Sequence, residues 1–140
     1  MAHSRQTVTD DVALRLVVPD DDGLMLRATL RYQPADPFAV EATFRAANES
    51  ISWVLGRDLL SEGLSAATGD GDVRVWPSAQ HGSERQLVMI ELRSPDGQAT
   101  LAVDATDLET FLLRTFRVVP AGEESRYLDI GEVIARLLAH

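Results

Sequence analysis

Gly69-Asp70-Gly71-Asp72-Val73-Arg74-Val75-Trp76-Pro77-Ser78 joins a glycine-rich turn, an alternating strand and a proline stop in one short stretch. Side chains alternate along a strand, so Val73, Val75 and Pro77 take one face and Arg74 and Trp76 take the other. Both faces then carry apolar surface, and each needs cover: one from a core, the other from a second layer or a partner. Such a stretch reads as packed sheet and not as a catalytic loop. Arg74 and Trp76 become the candidate residues for an oligomer or partner interface, where Trp and Arg are enriched.

The same period-two pattern extends in both directions. Val12 to Val18 puts Val12, Leu14, Leu16 and Val18 on one face, and Leu24 to Tyr32 does the same with Leu24, Leu26, Ala28, Leu30 and Tyr32. Pro19-Asp20-Asp21-Asp22-Gly23 between them is turn chemistry. Gln33-Pro34-Ala35-Asp36-Pro37 makes the next connection, its prolines disfavouring helix in the residues before them. Phe38 to Ala46 and Ser50 to Gly56 follow, joined by a tight turn beginning at Asn48-Glu49. Short connections between these strands argue for an antiparallel meander. Beyond Ser78, Arg85 to Leu92 and Ala99 to Val103 read as a hairpin closed by Ser94-Pro95-Asp96-Gly97, where Pro presets φ and Gly accepts φ > 0.

The period changes in three places. Arg57 to Leu64 reads as a short helix with an acidic first turn and Gly63 near its stop. Asp104 caps a longer helix whose apolar stripe is Leu108, Phe111, Leu112 and Thr115-Phe116. A loop at Pro120-Ala121-Gly122 leads to Tyr127 to Ala139, where Ile130, Val133, Ile134, Leu137 and Leu138 give a wide apolar face that needs a surface to cover. The expected fold class is α+β: antiparallel sheet of about seven strands with about three helices. The expected organisation is a flexible leader over residues 1–11 and one domain over residues 12–140.

Composition narrows the function. With 45% hydrophobic and 25% charged residues the chain has ordinary globular values. There is no cysteine, which removes disulfides and thiolate metal sites and fits a reducing, cytoplasmic location. The polar start of the chain has no apolar core of a signal peptide, and no apolar run has the length to insert in a membrane. A net charge of -9 opposes nucleic acid and anionic membranes, whose binding is built on phosphate neutralisation. All 13 basic residues are arginine, a bias that follows from GC-rich codons and still allows arginines to gather locally.

No chemistry-bearing set emerges. His81 with Ser78 or Ser83 would be needed for a Ser-His-Asp system, yet no G-x-S-x-G turn surrounds either serine, and His3 and His140 lie near the ends. Asp70 and Asp72 lack the spacing of a calcium loop, and Asp20, Asp21 and Asp22 point apart on a turn. Gly69-x-Gly71 lacks the third glycine and the lysine of a phosphate cradle. Catalytic residues, cofactors and metal ligands are therefore expected to be none. Tyr32, Phe44, Trp53 and Trp76 could form a stacking platform for single-stranded nucleic acid, with Arg31, Arg45 and Arg74 nearby. Core or interface packing accounts for them better, because most aromatics serve burial.

Leu14-Arg15-Leu16-Val17-Val18, Leu30-Arg31-Tyr32, Ala35-Asp36-Pro37-Phe38-Ala39-Val40 and Arg57-Asp58-Leu59-Leu60 carry a resemblance, together with Gly71-Asp72-Val73-Arg74-Val75-Trp76-Pro77-Ser78 and Leu108-x-x-Phe111-Leu112. In this order and spacing the chain resembles the SsgA-like family of actinobacterial sporulation and cell-division proteins. The resemblance implies a non-enzymatic role in sporulation-specific septation, helping to localise the tubulin-like protein FtsZ at division sites, with SsgA-type proteins as further partners. It also implies a whirly-like arrangement of two antiparallel sheets with helices, assembled as a homotrimer concentrated at septa. It transfers no catalytic residue. The alternative function, a whirly-like single-stranded nucleic-acid binder, has the architecture in its favour and the charge against it.

Overall fold

The computed structural model describes residues 6–18, 23–79, 85–128 and 130–138. Period-two alternation becomes strands β1 (Val8–Leu16), β2 (Leu24–Tyr32), β3 (Ala39–Ala46) and β4 (Glu49–Gly56), then β5 (Thr68–Asp70), β6 (Val73–Ala79), β7 (Gln86–Ser94) and β8 (Gly97–Asp104). All neighbours pair antiparallel in one eight-stranded sheet of order β4-β3-β2-β1-β8-β7-β6-β5. Two meanders are thus expected and found, but they do not form two separate sheets. Leu14, Arg15 and Leu16 of β1 pair with Val103, Ala102 and Leu101 of β8 and join them into one. Hydrophobic alternation specifies the face of a strand and leaves its neighbours unspecified, so this seam was not legible.

The strand count is eight instead of about seven because β5 is only three residues of Thr-Gly-Asp, too short and polar to show a period. Its partner is β6, across a turn in which Gly71 takes φ 58. The first strand also starts before Val12: Val8 to Asp11, read as leader, pair with Tyr32 to Thr29, and Val8 is buried. These residues have one apolar side chain among polar neighbours, and the length of β2 recruits them.

Three helical segments stand where the period changed. Two are of substantial length, α2 (Ala105–Val118) and α3 (Ile130–Leu138), and α1 (Arg57–Glu62) is a turn and a half; a single 3₁₀ turn spans Glu124–Arg126. Asp104 caps α2 as expected, its carboxylate accepting from the Thr106 and Asp107 N–H groups at 2.8 and 3.3 Å. Gly63 ends α1 for a different reason than the left-handed stop expected of it. Its φ is an ordinary helical -65°. A Cβ there would lie 2.1 Å from Val75 Cγ1, so the glycine lets α1 press against β6.

The sheet is strongly curled. Eight flat strands would separate the edges by about 34 Å, while a helix of six residues is about 9 Å long. Yet α1 touches both edge strands, β4 and β5. The concave face holds the core, closed by α2 on β1, β7 and β8. Tyr32, Val40, Leu60, Val75, Val88 and Phe111 are wholly inaccessible there. Leu108, Phe111, Leu112 and Thr115 supply the buried stripe of α2, as the helical spacing predicts.

Candidate interaction surface and its supporting core

Helices α1 and α2 pack on the concave side, against β4 and β5 and against β1, β7 and β8, which leaves the convex face to the alternate set of strand residues. Arg74 and Trp76 lie there side by side, the guanidinium 5.9 Å from the indole centroid, with Arg74 exposed and Trp76 half-buried. Trp76 stands opposite Met89, which stands opposite Ala102, so a shallow apolar row crosses the second meander. The second apolar face expected of this strand therefore exists, with Trp76 and Met89 half-buried and Ala102 buried.

The convex face of the first meander is more polar. Arg27 and Arg45 are direct cross-strand partners, flanked by Ala13 and Ser50. Thr29 and Thr43 form the next row with Asp11 and Ser52: Thr29 Oγ1 donates to Asp11 at 2.7 Å, and Thr43 Oγ1 is 2.9 Å from Ser52 Oγ. Arg31 and Glu41 form the row beyond, with Val54 exposed beside them.

The proposed stacking platform is not assembled. Tyr32 and Phe44 are buried, Trp53 packs on the core, and Trp76 belongs to the opposite face of the sheet. His3, His81, Ser83, His140 and Asp20 to Asp22 lie outside the described residues. Among the described residues no group of three or more His, Cys, Asp or Glu side chains is placed to hold a metal ion. A groove of about 500 Å³ runs along the start of α2, lined by Arg85, Gln86, Asp104, Thr106, Asp107 and Glu109. It brings together no nucleophile and base pair.

A residue that pattern reading passed over organises the interior. Arg57, 1% exposed, opens α1 and points away from solvent. It donates to the Val119 and Thr115 carbonyls at 2.8 and 3.3 Å and to Glu124 Oε2 at 3.0 Å. Its guanidinium carbon sits 4.9 Å from the Tyr32 ring centroid and 4.2 Å from that of Phe116. One cation thus satisfies the end of α2, the 3₁₀ turn and two rings. Only its Nε is left without a partner. A basic residue in the first turn of a helix runs against the helix dipole, which was the one sequence signal that something else holds it.

The network shifts its acids. Burial alone would raise the Glu124 carboxyl, but its own and the Gly122 N–H groups and the Arg57 guanidinium outweigh burial and hold it below the ordinary 4.5. Burial pushes the Tyr32 phenol up to about 12 against the pull of Arg57, and Glu124, Asp36 and Tyr127 add to the rise. The neutral phenol donates to the Pro37 carbonyl at 3.0 Å.

One further surface is apolar. Ile130, Ile134 and Leu138 follow one another at i, i+4 and i+8 along α3, exposed by 58%, 48% and 81%. Val133 and Leu137, which complete the wide apolar face expected of this helix, have side chains outside the described residues.

Fold and surface together define an α+β antiparallel-sheet protein with α1 and α2 in its concavity and arginines and Trp76 on its convex face. The family described as "Streptomyces sporulation and cell division protein, SsgA" matches residues 26–124. The chain belongs to this SsgA-like family. It is 49% identical over 134 residues to the sporulation-specific cell division protein SsgB of Streptomyces coelicolor, covering 95% of this chain and 96% of that one. It is 44% identical to the SsgB of Thermobifida fusca, covering 99% and 100%. Among solved structures, the SsgA-like sporulation-specific cell division protein of Thermobifida fusca YX-ER1 superposes with a TM-score of 0.85 at 43% identity, covering 97% of this chain and 98% of that one. A structure from work on SsgB mutations and longitudinal cell division in sporulating Streptomyces coelicolor gives 0.83 at 50% identity, covering 91% and 100%.

Proposed function

We propose that this protein acts in sporulation-specific cell division as a non-enzymatic adaptor, helping to localise FtsZ at division sites through protein contacts. The observation that carries the reading is the convex face, polar on one meander and apolar around Trp76 on the other, in a chain of the SsgA-like family. Arg74 and Trp76 form part of the contact surface, and SsgA-type proteins are further partners. The protein works in the cytoplasm and concentrates at septa. Three chains assemble in a whirly-like homotrimer, and the apolar stripe of α3 supports assembly because exposed apolar stripes are costly in isolated chains.

Co-sedimentation with polymerised FtsZ tests the reading. The protein is expected in the polymer pellet, with Trp76→Ala weakening retention; absence from the pellet at every salt concentration would reject the FtsZ contact. The nucleic-acid alternative has lost its aromatic platform to the core, and net charge -9 still opposes it.

A further inference from the structure

The convex face separates charge from the rest of the chain. Its strand positions carry Arg15, Arg27, Arg31, Arg45, Arg74 and Arg93, against the carboxylates Asp11, Glu41, Glu91 and Asp104. The chain as a whole has net charge -9. Two of those carboxylates are already engaged: Glu91 takes Arg93 of the same face at 3.2 Å and Gln98 at 3.1 Å, and Asp104 caps α2. Arg27 and Arg45 face each other directly, with Cα atoms about 5 Å apart. Like charges so placed destabilise a sheet. Asp11 relieves Arg45 only at 3.7 Å, between side chains 44% and 60% exposed. Arg27 and Arg31 make no ion pair among the described residues.

We infer that this face of the first meander is a docking surface for an extended acidic segment of a partner protein, centred on Arg27 and Arg45 and reaching Arg31. Arg27 and Arg31 lie on one face of β2 at i and i+4, about 13 Å apart along the strand. An extended chain laid along β2 presents alternate side chains to the sheet, so carboxylates four residues apart fall over Arg27 and Arg31, with a third over Thr29 between them. The Thr29, Thr43 and Ser52 hydroxyls lie between them. Guanidinium forks match carboxylates in bidentate geometry, which gives the exposed pair a ligand that cancels its repulsion. A nucleic-acid strand fits less well: phosphate binding draws on many cations along a track, whereas here Asp11 and Glu41 punctuate a short patch. The inference rests on the adaptor reading and supplies the kind of partner segment it would engage.

Fluorescence polarisation with a labelled decapeptide of alternating Asp and Ser tests it, beside the Asn-Ser decapeptide and a single-stranded oligothymidylate. The Asp-Ser peptide is expected to bind at low salt and the Asn-Ser peptide not to. Arg27→Glu and Arg45→Glu should each weaken binding about tenfold or more, while Arg117→Glu, the same charge change on α2, should not. Arg27→Gln should melt no lower than the parent protein, because it removes a repulsion. No binding of the Asp-Ser peptide, equal binding by the Arg27→Glu and Arg45→Glu variants, or tighter binding of oligothymidylate would overturn the inference. A lowered melting temperature in Arg27→Gln would also overturn it, by making the pair a folding element. FtsZ co-sedimentation run in parallel separates the two claims. A protein that binds the peptide but not FtsZ polymers upholds the acidic-segment site and rejects only the FtsZ contact.

Discussion

At Arg57 a guanidinium 1% exposed lies between two rings and against one carboxylate, with the last carbonyls of α2 around it. Such a charge is tolerated only because its partners are complete, and removing one strands the other. Arg57→Ala is expected to lower the unfolding free energy by about 3–5 kcal/mol in urea titrations. Arg57→Lys should recover little of it, since an ammonium cannot serve a carboxylate and two carbonyls as a planar fork does. The same cluster sets the pH limits. Glu124 is depressed when folded, so its stabilisation is full above the ordinary value of 4.5 and is lost as pH falls through its lower folded value. Tyr32 is raised when folded, so its contribution is full below 10.0 and disappears as pH climbs through about 12. Urea midpoints should therefore fall on both sides of a neutral plateau, and phenolate absorbance should place Tyr32 ionisation at the alkaline fall. An unchanged midpoint up to pH 12 would contradict this account of Tyr32.

Between α1 and β6 the contact is close enough to require a missing side chain. Gly63→Ala would put a methyl 2.1 Å from Val75 Cγ1 and 2.7 Å from Val75 Cβ. Overpacking of this kind costs about 1–3 kcal/mol. Val75→Ala made in the Gly63→Ala background should return part of that loss, although it is destabilising alone; a double-mutant cycle on thermal melts would show the coupling. A purely additive cycle would mean that the glycine serves some other purpose. Pro77 shows an opposite economy. It stands in β6 beyond the reach of β5, where its missing N–H leaves no ladder bond unmade on that side. The proline that marked the end of a strand in the sequence is inside one, at a stretch where β6 is an edge.

For the molecule as a whole, the short ladder between β1 and β8 makes two meanders into one curled sheet, and α2 lies across the join. Where β1 runs on past β8, Arg114 reaches from α2 to the Thr9 carbonyl at 3.2 Å and to Asp10 at 3.7 Å. The interior is closed by this arrangement, while Ile130, Ile134 and Leu138 of α3 stay exposed. Ile134→Asp is expected to leave the melting temperature of the separated chain nearly unchanged and to shift the light-scattering mass from that of the proposed trimer to that of a monomer. Retention of the parent mass would remove α3 from the proposed assembly interface.

Local chemistry was enough to place most elements. Alternation from Leu24 to Tyr32, the Asp104 cap and the helical stripe of Leu108, Phe111 and Leu112 each depend on neighbours a few residues away, and all three appear in the structure. The polar start of β1 and the three residues of β5 carried too little apolar contrast to be seen. Of the candidate surface, Arg74 and Trp76 could be assigned to one strand face, whereas the Arg27–Arg45 pairing needed the register between two strands. The amino-acid order by itself determined the faces of the strands, the caps and the family likeness, because these are short-range properties of a chain. Only tertiary structure decided that β1 meets β8, that Arg57 is enclosed and that Gly63 admits Val75. Those contacts join residues far apart in the chain, and their energies exist only once the sheet has curled to bring them together.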